Sequence, residues 1–155
     1  MISLRAALAL VALLATPALA QPPGAADSIA WRKANVSAGA YDFVADTPEA
    51  AVFIDPSDEG YDPSGVPMEM NVRYEYFAAA PGRPELSAVS RVVFDCNAGR
   101  TRVIVTEYHA EHNLFGASRH VRPGADWVPA ERGTIMTELL GASCEIRAQM
   151  AAGQR

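Results

Sequence analysis

The chain has 155 residues, 50% of them hydrophobic and 20% charged, with a formal net charge of −5. That length gives room for one domain with a real core. An acidic surface repels phosphate backbones and anionic lipid, which argues against nucleic acid as a partner.

The first twenty residues read MISLRAALALVALLATPALA. Arg5 is the lone charge, an apolar run follows, Pro17 breaks it, and Ala18-Leu19-Ala20 has the small-x-small form of a cleavage site. This is the pattern of a secretory signal peptide, and the run is too short to span a membrane. Cleavage is expected between Ala20 and Gln21, leaving a net charge of −6 once Arg5 is gone. No cysteine follows the cleavage site, so no lipid anchor is expected there, and no later stretch reads as a membrane span. The expected product is periplasmic or secreted.

Residues 21–28, QPPGAADS, are small, polar and proline-rich and are expected to form a flexible lead-in. A single domain is expected over 29–150, with a short tail at 151–155. SIAWRKA (28–34) is read as a candidate strand, and YDFVA (41–45) and AVFID (51–55) as strands. The segment DPSDEGYD (55–62) places glycine correctly for an EF-hand started at Asp55, but Val66 stands where a bidentate glutamate is needed. A solvated loop fits it better.

Residues 66–77, VPMEMNVRYEYF, alternate strictly: Val66, Met68, Met70, Val72, Tyr74 and Tyr76 against Pro67, Glu69, Asn71, Arg73 and Glu75. A period of two predicts a half-buried strand of an antiparallel sheet with one wet face. Pro67 must then lie at its start or on an edge. AVSRVVFDC (88–96) and RTRVIVTEYHA (100–110) are the next two strands, joined by a turn at Asn97-Ala98-Gly99. Ile104, Thr106 and Tyr108 are expected on one face. A short fourth strand follows at 118–122.

The C-terminal segment changes period. Ile135, Leu139, Ala142, Ile146 and Met150 form a helical stripe, with Thr134 as candidate N-cap and Gly141 expected to weaken the helix or end it early. The predicted fold is α+β: an antiparallel β-meander sheet with a C-terminal helix packed on its dry face. Cys96 and Cys144 are the only cysteines. Export places them where a pair usually closes a disulfide, and the alternatives are a free nucleophile or two thiolate ligands.

All three histidines fall in YHAEHNLFGASRH (108–120). A turn there could bring His109, Glu111, His112 and His120 together as a zinc set, the alternative being a polar hairpin end. H-E-x-x-H is absent, as are G-x-S-x-G and any phosphate-cradling glycine loop. Asp95 beside Cys96 and Glu107 near His109 read as ordinary strand residues. No catalytic residue and no cofactor is assigned. The candidate binding residues are Phe115, at the hairpin tip, and Tyr61, in the acidic loop, because exposed aromatics mark interaction sites. Tyr74 and Tyr76 are assigned to the core by their alternation. Open strand edges offer a second route to partners.

The stretches VVFDCNAGRTRVIVTEYH and DWVPAERGTIMTELLGASC resemble the surface-adhesin E-like proteins of Gram-negative bacteria. The matching positions are Asp95, Cys96, Tyr108, Gly116, Trp127, Pro129 and Cys144. The resemblance implies a small antiparallel sheet with a C-terminal helix, the Cys96–Cys144 disulfide and no catalysis. It also implies host-matrix or plasma proteins as partners, and homodimers. The lipid-accepting cysteine of some members is absent here. The expected function is therefore an exported, non-catalytic binding protein that contacts an envelope or host matrix protein through a sheet face or edge. A periplasmic metal-binding protein and an uncharacterised enzyme are the alternatives.

Overall fold

A computed structural model describes residues 24–56, 67–124 and 126–153. The signal segment, Tyr61 and most of the acidic loop lie outside the described residues.

Helix α1 spans Ala25–Asn35, where 28–34 was expected to be a strand. It also takes in the end of the stretch read as a lead-in. Its ends carry Asp27 in the first turn and Arg32 and Lys33 in the last, which complements the helix dipole. Ser28, Trp31 and Arg32 are spaced at i, i+3 and i+4, so they share one face. That face meets the sheet: Ser28 Oγ donates to Asp46 at 2.6 Å, Arg32 pairs with Asp46 at 3.4 Å, and Trp31 sets its ring edgewise on Phe77.

The sheet follows the chain. Strands β1 (Asp42–Asp46), β2 (Ala50–Ile54), β3 (Met68–Tyr76), β4 (Ser87–Asp95), β5 (Arg100–His109) and β6 (Ser118–Val121) lie side by side in that order, all antiparallel. Strand β7 (Val128–Pro129) pairs with the start of β5, beside the same edge that β6 occupies further along. Pro67 stands just before β3, where its missing N–H costs the ladder nothing. The turn after β4 closes through Gly99 N–H to Asp95 O at 2.9 Å, with Gly99 at φ 64°.

Helix α2 (Ile135–Ala151) covers the face that carries Met68, Met70, Val72, Val92 and Phe94. Thr134 stands at its N-cap, although its hydroxyl turns back to Glu131 O at 2.7 Å. Gly141 is exposed and the helix runs through it. The buried stripe is Leu139, Ser143 and Ile146, with Ser143 where Ala142 was expected. Ser143 Oγ donates to Leu139 O at 2.7 Å, so the hydroxyl is satisfied inside the core. The Cys96–Cys144 disulfide ties the end of β4 to α2 with 5.8 Å between Cα atoms.

One expected face assignment changes. Arg91 pairs with Val105 and Val92 with Val103, so Ile104 is a bulge residue between them. An extra residue shifts the alternation by one. Thr106 and Tyr108 keep their face, and Val103 takes the core position before the bulge.

Candidate functional site at the hairpin tip and polar sheet face

The wet face of β3 is not wet along its whole length. Arg73 is 4% exposed and Glu75 is fully buried. Arg73 Nε donates to Glu75 Oε1 at 2.8 Å, and its two terminal nitrogens reach Ser37 O and Asn113 Oδ1, each at 2.8 Å. Glu75 also accepts from Asn113 N at 2.9 Å and from His112 Nδ1 at 3.0 Å. A buried ion pair is tolerable when its remaining polar atoms are satisfied in this way.

Asn113 is the hub. Its Nδ2 donates to Asn35 O at 2.9 Å, and its Oδ1 also accepts Ser37 N–H at 2.7 Å. It therefore supplies a partner to the carbonyl-rich end of α1. Asn113 and Leu114 both adopt φ 62°. Asparagine tolerates that region, whereas leucine is strained there. Ser87 bridges the turn by donating to Glu111 O at 2.5 Å and accepting Leu114 N–H at 3.0 Å. Trp31 adds an edgewise contact on the His112 ring, 5.1 Å between centroids.

The histidines therefore divide. His109 and His120 flank Glu107, at 3.6 and 3.2 Å, while His112 turns to Glu75. Glu111 lies against Gly116, where a Cβ would come within 3.1 Å of Glu111 Oε1. The four residues of the zinc set do not converge, and among the described residues no group of three or more His, Cys, Asp or Glu could hold a metal ion. Hydrogen bonds from Ser118 and then His120 hold the Glu107 carboxyl below its ordinary range.

Register places Arg73, Val89, Glu107 and His120 in one cross-strand row, and Asn71, Arg91 and Val105 in the next. A groove of about 430 Å³ lies over these rows and extends to Arg122. On the α2 face, beyond the helix start, Tyr74 and Tyr76 stack at 6.4 Å. Burial first, then the neighbouring tyrosines, pushes the Tyr74 phenol far above its ordinary value, and burial pushes Tyr76 up to about 12. Tyr74 packs against the core, as expected, and Tyr76 is half-buried under the Arg83 guanidinium, 3.4 Å from its ring centroid. Arg119 covers Tyr108 at 4.4 Å and forms an ion pair with Glu85.

Phe115 is 65% exposed at the turn between β5 and β6. All four residues of β6 are exposed, and among the described residues β6 pairs with β5 alone. At the opposite end of β5, Trp127 lies under Arg100 and Arg102, 4.7 and 4.9 Å from its ring. Asp95 accepts from Ala98 N at 3.1 Å and from Arg100 Nε at 3.0 Å, which fixes the turn beside Cys96.

Residues 41–145 match the family defined by surface-adhesin protein E. The chain belongs to the surface-adhesin protein E family. The matched region runs from β1 to near the end of α2 and holds both disulfide cysteines. No curated protein and no solved structure matches the chain. Among the described residues, no helix is long and apolar enough to cross a membrane. In this member of the surface-adhesin protein E family, sequence alone missed Arg73, Glu75 and Asn113. A polar residue on a nominally wet face carries no local sign that a distant hairpin will cover it.

Proposed function

We propose that this protein is an exported, non-catalytic binding protein, released by cleavage near Ala20–Gln21, that contacts a protein partner through the β6 edge and the Phe115 tip. One observation carries the reading. An exposed aromatic stands at the turn leading into a strand whose outer edge has no neighbour among the described residues. Open edges accept an extended segment by sheet addition, and a buried aromatic anchor dominates many interfaces. The network around Asn113 and Glu75 supports it by holding the tip in one conformation before binding. Membership of the adhesin family supports a protein partner, either an envelope protein or a host matrix protein.

The non-catalytic part draws on membership of the adhesin family. The test is surface-immobilised binding against purified matrix and envelope proteins. Phe115→Ala should weaken binding to the responding partner by about tenfold or more, as loss of a hot-spot aromatic does. Val121→Lys, which blunts the edge, should do the same. Equal binding by all three proteins would sink the reading.

A further inference from the structure

We propose that the groove on the polar sheet face is a binding site for a carboxylate-bearing sugar. Its floor is aliphatic, made by Val89 and Val105 on adjacent strands. Its walls carry Asn71, Arg91, Arg122 and His120. The volume, about 430 Å³, lies inside the range of small-ligand sites, about 300–1,000 Å³.

Charge singles this groove out. The chain as a whole is acidic, at −5. The groove sets two guanidiniums, Arg91 and Arg122, against Glu107 and against the Glu69 that pairs with Arg91, so among the described residues Arg122 is the charge left over. Glu107 is already engaged by Ser118, His120 and His109. Arg91 is held in place by an ion pair with Glu69. Arg122 has no ion-pair partner among the described residues and is exposed at the groove. A planar guanidinium matches a carboxylate with two parallel hydrogen bonds.

The uncharged parts select within the anions. The Asn71 side chain makes no hydrogen bond among the described residues and offers both a donor and an acceptor. A sugar ring presents hydroxyls at its rim and C–H groups on its face. The amide and imidazole suit the first, and the valine floor suits the second. A bare inorganic anion would leave the floor unused. A fatty acid would leave the Asn71 amide without a partner, which weakens binding. Two sources share the required chemistry: a terminal sialic acid and a uronic acid within a glycan chain.

This inference stands apart from the edge-and-tip reading, and the two can fail separately. The isotope-labelled protein would be titrated with sialyllactose, with a hyaluronan tetrasaccharide and with neutral lactose, following backbone amide shifts. The expected result is saturable shifts at Val89, Val105 and His120 with an acidic sugar and none with lactose. Response to sialyllactose alone assigns a terminal sialic acid, response to the tetrasaccharide alone a uronic acid, and response to both a site that reads the carboxylate in either setting. Arg122→Gln should weaken the acidic sugar about tenfold or more, while Phe115→Ala leaves it unchanged. No shifts with either acid, equal shifts with lactose, or full affinity in Arg122→Gln would overturn the proposal. Arg122 is exposed and outside every strand, so its variant keeps the fold.

Discussion

Glu75 and His112 are 37 residues apart in sequence and 3.0 Å apart in space. Their contact joins the middle of the sheet to the turn that displays Phe115. Arg73 and Asn113 complete the junction and extend it to the end of α1. The tip is thereby fixed from below by a buried carboxylate and from the side by a helix.

Removing that carboxylate should be costly. Glu75→Ala leaves the Arg73 guanidinium buried without its charge partner, and breaking such a pair costs about 3–5 kcal/mol. His112→Ala leaves Glu75 its other donors and should cost less. Urea unfolding of the two variants checks the order. A Glu75 variant as stable as His112→Ala would show that the buried pair does not organise this region.

Leu114 offers a gain. Its φ of 62° strains a leucine and suits a glycine. Relief of about 1–2 kcal/mol is set against the lost side-chain contacts and the greater freedom of an unfolded glycine. Leu114→Gly should therefore be close to neutral, within about 1 kcal/mol. Asn113→Ala should instead lose about 2 kcal/mol or more, since it strands Arg73 and Asn35 partners. Melting curves of the pair would test this, and a strongly destabilised Leu114→Gly would count against the strain argument.

Reduction of Cys96–Cys144 should lower the melting temperature substantially. The 48-residue separation corresponds to about 4 kcal/mol of loop entropy. Calorimetry with and without reductant measures it, and an unchanged melting point contradicts it.

Acid should destabilise the fold in a defined window. Glu85 and Glu107 have folded carboxyls lowered from 4.5, the first by its hydrogen bond with Arg119, the second by Ser118 and His120. A lowered group gives stability that is complete above its unfolded value and is lost as pH falls through the folded one. Stability should therefore be insensitive to these groups above about pH 5.5 and decline below about pH 4.5. Glu107→Gln should flatten part of that decline. Denaturant midpoints from pH 3 to pH 7, or about that span, would show it.

The central strands β3 and β4 were legible because one face of each is dry. The alternation from Met68 to Tyr76 predicts β3, and the spacing from Ile135 to Met150 predicts α2, because burial on one side imposes a period. Where both sides are covered the period disappears, although AVFID (51–55) still reads as a strand and is β2. α1 lies over the second face near Asp46 and Phe77, and Ala50–Ile54 is accordingly buried throughout. The Ile104 bulge leaves no composition signal, since valine and isoleucine suit either face. His112 and Glu75 meet only through long-range register, which no short motif encodes.

The disulfide also decides how the molecule bears load. Cys96 leaves a central strand and Cys144 sits late in α2. Tension drawn between the two ends of the domain passes through the sulfur bridge and bypasses the intervening loop. That loop contains β5, β6, Phe115 and half of the polar groove. The surfaces assigned to binding thus lie on a covalent shunt. A protein drawn out by its two ends would keep those surfaces slack and folded after β1 and β2 had begun to give.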